Sequence, residues 1–253
     1  MSRDEAVGVP ADVMAKVADV DGWMSPGQAA RLYAAARSTR AGQQIVEIGS
    51  FRGRSMIVMA SAAPEGVALV AIDPHAGNDR GPQEIDGFVA EADDDNRVFL
   101  ANLAAAGVAH RVLHVREFSD AAHAHVTGDV AVLYVDGAHR FAPARADIRD
   151  WGARVAPGGT LLIHDSFSSV GVTLAILREL LVGRRFRYVG RSRSLAEYRA
   201  DLDGTGRSVA VNALRQLAQL GWFVQNLLVK VVISLRGGRL LERLTRRPAE
   251  WPY

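Results

Sequence analysis

Two short phrases in this chain carry residue types suited to catalysis: Val135-Asp136-Gly137-Ala138-His139 and His164-Asp165-Ser166-Phe167. Each follows an apolar run of strand character, so the two aspartates are expected at the ends of neighbouring strands, facing one cleft. Two carboxylates at one mouth repel unless they are protonated, separated or sharing a cation. Hard oxygen ligands suit Mg²⁺, Ca²⁺ or Mn²⁺, which would bind a substrate hydroxyl and lower its pKa. His139, three residues past Asp136, is placed to accept the released proton as a neutral imidazole. His164 competes for that role, but it precedes Asp165 and its side chain can point into the sheet. The plainer alternative also stands: Asp136 contacts a cofactor, Asp165 caps a turn and His139 caps the next helix.

A second group lies earlier. Val46-Glu47-Ile48-Gly49-Ser50-Phe51-Arg52-Gly53-Arg54-Ser55 reads as a strand running into a helix through a glycine turn. Glycines at 49 and 53 allow a tight turn and close backbone approach to a ligand. Asp73, ending the next strand in Ala71-Ile72-Asp73-Pro74-His75, stands about 20 residues further on, where a cofactor ribose is commonly held. The pairing points to a nucleotide cofactor. The spacing is G-x-x-x-G, not the dinucleotide G-x-G-x-x-G, which disfavours a nicotinamide oxidoreductase. The chain has two lysines, Lys16 and Lys230, and neither completes a Tyr-x-x-x-Lys pair or a Walker A loop. His75 and Asp79, in the Gly/Pro-rich loop after that strand, are within reach of a substrate or belong to a solvated loop.

The elements that must position these residues alternate strictly. Strands are expected at Gln44–Ile48, Val67–Ile72, Arg111–Val115, Val130–Val135 and Thr160–Ile163. Helices are expected at Gly53–Ala62, Asn96–Ala106, Ser119–His125, Ala142–Val155 and Val170–Leu181. Near-continuous apolar strands alternating with helices imply a parallel sheet covered on both faces. Phe186–Gly190 and Ser194–Tyr198 then pair as a closing hairpin. Two helices, Pro10–Asp21 and Ser25–Arg40, come first, with Ser25-Pro26 as N-cap and first helical residue. The expected architecture is α/β: a doubly wound, mostly parallel seven-stranded sheet over residues 41–203. A helical cap precedes it (1–40) and a helical tail follows (204–253). Ligands in such sheets bind at the carboxyl ends of the strands, near the point where strand order reverses.

Glu47-Ile48-Gly49 with Gly53, Asp73, Asp136 and Ala156-Pro157-Gly158-Gly159-Thr160 resemble the class I S-adenosylmethionine-dependent methyltransferases. The two aspartate phrases resemble more closely the branch of macrocin O-methyltransferase and its sugar-modifying relatives. The resemblance covers roughly residues 25–200. It implies a Rossmann-like methyltransferase fold that binds S-adenosylmethionine and moves a methyl group to a hydroxyl of a sugar or similar small metabolite. It implies Gly49 and Gly53, with Ser50 and Ser55 on the same turn, beside the methionine part of the cofactor. Glu47 would lie near its amino group, Asp73 on the ribose hydroxyls and Ser119 by the adenine. The resemblance extends to metal-dependent catechol-type enzymes, which implies Asp136, Asp165 and Ser166 as ligands of Mg²⁺ or a related cation. This chain has Ser166 where that group has Asn, and His139 where it has a catalytic lysine.

The 253 residues are 49% hydrophobic and 23% charged, which describes a globular chain with an adequate core. There is no cysteine, which excludes disulfides, thiolate metal sites and a thiol nucleophile. No signal-peptide pattern and no run of about 18 apolar residues is present, so a cytoplasmic protein is expected. Residues 177–253 carry fourteen Arg and one Lys against six acidic residues, on a body of net charge −7. Nucleic acid is not expected as the substrate, because the basic charge sits in this tail rather than around the cleft. From Val209 to Leu235, Asn212, Gln216, Gln219, Asn226, Lys230 and Ser234 form a narrow polar stripe on an otherwise apolar helix. Arg236, Arg239, Arg243, Arg246 and Arg247 follow. Such a helix lies at the inner face of a membrane, or it packs on the core or in a homodimer.

Overall fold

The computed structural model describes residues 8–76 and 88–234, the side chains of 88–92 and 232–234 excepted. Asp79 and the arginines from 236 to 247 lie outside the described residues. Seven strands form one sheet: β1 Gln44–Ile48, β2 Ala68–Ile72, β3 Val112–Val115, β4 Val130–Val135, β5 Val155–Ile163, β6 Arg187–Ser192 and β7 Leu195–Arg199. Their order is β3-β2-β1-β4-β5-β7-β6. The first five run parallel, and β7 pairs antiparallel with both β5 and β6. Strand order reverses between β1 and β4, which is where a doubly wound sheet is expected to bind its ligand.

The helices are α1 Ala11–Lys16, α2 Pro26–Arg37, α3 Arg54–Ala62, α4 Phe88–Ala105, α5 Phe141–Ala146, α6 Val170–Glu179, α7 Gly206–Leu217 and α8 Leu220–Ser234. The period-two alternation of the strands divides the core into two layers. Val46 and Ile48 face a cluster with Trp151, Phe167 and Ile176. Ile45 faces the opposite one, with Leu32, Met56, Met59 and Phe99. Near-continuous apolar strands are thus the signature of a sheet buried on both sides, as expected.

Several elements differ in extent from expectation. α1 stops at Lys16 instead of Asp21: Val17 leaves the helical conformation, the next N–H groups bond to carbonyls three residues back (Val17 to Met14, Ala18 to Ala15, Val20 to Val17), and Arg54 donates to the Val20 carbonyl at 2.6 Å. The Ser119–His125 segment forms only a 3-10 turn at Ala122–His125. The helix expected over Ala142–Val155 is α5 followed by a π-type widening at Asp147–Trp151 and a 3-10 turn. The widening leaves Asp147 and Trp151 both buried, each bonded to Ser119. β5 starts earlier than Thr160, with a register shift where Pro157-Gly158-Gly159 passes β4. The tail is two helices rather than one, interrupted just ahead of Gly221.

Candidate active site

The chain leaves β1 through Gly49, whose φ of +86° is a left-handed conformation. A Cβ there would stand 2.3 Å from the carbonyl oxygen of Asp136. The glycine therefore lets the ends of β1 and β4 touch. Directly beneath it Glu47 is fully buried. Burial pushes its carboxyl up to about 8, against the lowering effect of the Ser55 hydroxyl, which donates to Oε1. Oε2 of Glu47 has no hydrogen-bond partner, and neither has the buried hydroxyl of Ser50.

Asp73, at the end of β2, braces this turn. Its Oδ2 accepts the Phe51 N–H and its Oδ1 the His75 N–H, each at 2.8 Å. Both donors are strained: Phe51 has φ +44° and His75 φ +46°. His75 does not project toward a substrate. It is buried, packs on Phe99 and His114, and its Nε2 lies 2.9 Å from the Phe51 carbonyl. Ser119 donates to Asp147, a buried carboxyl that burial pushes up to about 6. Asp147 escaped the sequence reading, because nothing in Ala146-Asp147-Ile148 marks a widened helical turn.

The second half of the site sits at the ends of β4 and β5. Ligand atoms of Asp136, His139 and Asp165 lie within 4.8 Å of one another. His139 Nε2 is 2.5 Å from Asp165 Oδ2. Gly171 of α6 makes this approach feasible, since a Cβ on it would stand 2.2 Å from the His139 carbonyl oxygen. Asp165 and Phe167 both have positive φ, +54° and +56°. Ser166 is not brought to the cluster: it is buried and its hydroxyl donates to the Ile163 carbonyl at 2.8 Å.

His164 stands between the aspartates, its Nδ1 3.1 Å from Asp136 Oδ1 and 3.6 Å from Asp165 Oδ2. Burial lowers its pKa, and the two carboxylates more than reverse this, raising it to about 10. The mutual repulsion expected of the aspartates is thus relieved by a side chain of the protein itself. For His139, burial again opposes protonation, and Asp165 and Asp136 outweigh it, so its pKa is raised. Asp165 is held well below the carboxylate range: burial raises it, but the bonds from His139 and His164 dominate. Asp136 Oδ2 also accepts the Tyr134 hydroxyl at 2.7 Å.

One further residue was missed. Gln28 of α2 is buried, and its Oε1 accepts the Ser25 N–H at 2.7 Å in a capping box. That fixes the amide and turns Nε2 toward Ser194 Oγ at 3.2 Å and His164 Nε2 at 3.3 Å. A protonated His164, which its two carboxylate neighbours favour, has no lone pair on Nε2, so in that state the 3.3 Å approach is packing and Ser194 Oγ is the acceptor for the amide. The S-x-x-Q spacing announced the cap, but not its reach into the site.

Residues 46–166 match a family model described as a methyltransferase domain. A search of curated proteins finds no sequence match. Among solved structures, the chain is similar to cofactor-bound Rv0187 from MTB, at TM-score 0.52 and 18% identity, over 78% of this chain and 90% of that one. It is similar to an S-adenosylmethionine-dependent O-methyltransferase from Thermotoga maritima, at TM-score 0.51 and 15% identity, over 76% and 72%. An O-methyltransferase from Bacillus cereus in complex with SAH gives TM-score 0.50 and 16% identity, over 78% and 92%. The strand order agrees with these structures, so residues 46–166 form a domain that matches the methyltransferase model within a fold shared with S-adenosylmethionine-dependent O-methyltransferases.

Proposed function

We propose that the chain transfers the methyl group of S-adenosylmethionine to a hydroxyl of a sugar or other small hydroxyl-bearing metabolite. The observation that carries this reading is the convergence of Asp136, His139 and Asp165 beside the β1 turn. The O-methyltransferases named among the similar structures support the choice of oxygen as acceptor. The cofactor fits the first half of the site. Glu47 offers a buried carboxylate oxygen with no donor, matched to the ammonium of the methionine part. Asp73 keeps lone pairs for ribose hydroxyls besides the two backbone N–H groups it holds, and Ser119 with Asp147 lies toward the adenine.

In the transfer, methyl moves in line from sulfonium to oxygen, so positioning supplies much of the rate. His139 takes the hydroxyl proton. Its Nε2 is engaged by Asp165, which leaves Nδ1 as the accepting atom and fixes the ring. Asp136 and Asp165, with His139 as a third donor, also form a set of the kind that holds a divalent cation. Such a cation, when bound, would polarise the acceptor oxygen. A second reading is metal-free, and the 2.5 Å contact of His139 with Asp165 favours it, since the dyad is assembled as it stands. Calorimetry with S-adenosylhomocysteine, with and without Mg²⁺, followed by turnover in chelator, separates them. Loss of turnover in chelator supports the metal reading, and full turnover leaves the dyad alone. Failure to bind S-adenosylhomocysteine under any condition overturns both.

A further inference from the structure

The two tail helices are inverted relative to an ordinary surface helix. Four of their polar residues, Asn212, Gln216, Asn226 and Lys230, face the protein and are used up there. Asn212 accepts the Tyr188 N–H at 2.7 Å and donates to the Phe186 carbonyl at 3.0 Å, closing the free edge of β6. Gln216 donates to the Leu180 carbonyl and accepts the Tyr198 hydroxyl. In α8, Asn226 donates to the Phe167 carbonyl, and Lys230 to the carbonyl and hydroxyl of Ser168. The apolar residues point the other way. Val211, Leu214 and Leu217 are exposed on α7, and Val224, Leu227, Leu228 and Val231 on α8. An exposed apolar face of this extent is a docking surface rather than ordinary scatter.

Charge says what docks there. From residue 204 to residue 241 the sequence contains no acidic residue, while Arg207, Arg215, Lys230, Arg236 and Arg239 fall within it. Arg207 and Arg215 line an open groove of about 310 Å³ beside Val211, together with Arg187 and one carboxylate, Asp203. Neither Arg207 nor Arg215 makes a side-chain hydrogen bond or ion pair within the described residues. Two copies joined by this face in a two-fold contact would set arginines against arginines. A phosphate-bearing lipid surface complements both features, taking the apolar face into the acyl boundary and the arginines onto headgroups. We infer that the outer face of α7 and α8 docks this protein on an anionic membrane surface. Among the described residues no helix is long and apolar enough to cross a membrane, so the mode is peripheral. Because α8 bonds to Phe167 and Ser168, the docked helix holds the loop that carries Asp165.

The test is flotation of the full chain with phosphatidylcholine vesicles, with and without phosphatidylglycerol. The full chain is expected to float with the anionic vesicles, to float less as salt rises, and to ignore phosphatidylcholine alone. Leu214 and Leu228 are 67% and 61% exposed, so Leu214→Glu with Leu228→Glu leaves the fold intact. That is checked by unchanged binding of S-adenosylhomocysteine. The double variant should bind vesicles at least about tenfold more weakly. Changing Arg243, Arg246 and Arg247 to Ser should weaken the salt-sensitive part. If the full chain ignores anionic vesicles, the inference is overturned. If it also forms a dimer that the double variant dissociates, the face is an interface between copies.

Discussion

The β1 side and the β4–β5 side of the site treat their buried charges in opposite ways. Beside β1, Glu47 is buried with one carboxylate oxygen unpartnered and a carboxyl raised to about 8. Beside β4 and β5, each cationic group has carboxylates close by: His164 Nδ1 lies 3.1 and 3.6 Å from Asp136 and Asp165, an electrostatic pairing without a hydrogen bond, and His139 Nε2 lies 2.5 Å from Asp165. An unpartnered buried acid is costly unless it stays protonated or a cation arrives. The first half of the site therefore suits an incoming positive charge, as the proposed cofactor ammonium would supply. The second carries its own, and under the proposed transfer it holds a fixed geometry while His139 takes a proton.

The sharpest way to break that contrast is to remove the base from the matched half. His139→Ala should lower turnover about 10²–10⁴-fold and leave the affinity for S-adenosylhomocysteine nearly unchanged. Since the raised pKa must be exceeded for His139 to accept a proton, wild-type turnover should climb as pH passes through it and then level off. A variant with wild-type turnover would remove His139 from the chemistry.

Asp73 tests the other half with a smaller effect. Asp73→Ala removes two charged acceptors from strained backbone as well as the proposed ribose contact. At roughly 1.5–3 kcal/mol for a hydrogen bond to a charged group, cofactor affinity should fall at least about tenfold. Asp73→Asn retains one acceptor oxygen and should lose less. Equal affinity in wild type and Asp73→Ala, measured by calorimetry, would leave Asp73 as a brace of the β1 turn and nothing more.

Much of this contrast was legible in the sequence, and the illegible part has a common cause. The alternation of apolar strands and helices announced the sheet. The two aspartate phrases announced the β4–β5 half, because local motifs fix which residues end which strand. The partners of those aspartates were harder to read. His164 looked like a residue aimed into the sheet, and Gln28 looked like a cap, yet together they connect α2 to the site across 136 positions. Ser166 followed Asp165 and so looked like a neighbouring ligand, but the positive φ of Asp165 and Phe167 turns its hydroxyl back on β5. The polar stripe of the tail was visible as periodicity, while its direction, toward the protein, depended on the free edge of β6 and the loop after β5.

The smallest effect concerns pH, and Glu47 sets its sign. Its pKa is raised from 4.5 unfolded to about 8 folded, so between those values the folded chain keeps a proton that the unfolded chain has lost. This contribution therefore lowers stability as pH rises through that window, and the penalty is complete above about 8. Binding a cofactor ammonium favours the carboxylate, so it must drive the proton off whenever pH is below about 8. Affinity for S-adenosylhomocysteine should then rise as pH approaches about 8 and fall again once the ligand's own ammonium loses its proton. Calorimetry in buffers of different ionisation enthalpy should detect the released proton in the same range. Glu47→Gln has no proton to release, so its affinity should be flat across the window and weaker than wild type at the upper end. Wild-type affinity that does not change with pH would mean that the ammonium is held elsewhere, and that the unpartnered oxygen of Glu47 serves the packing of the β1 turn alone.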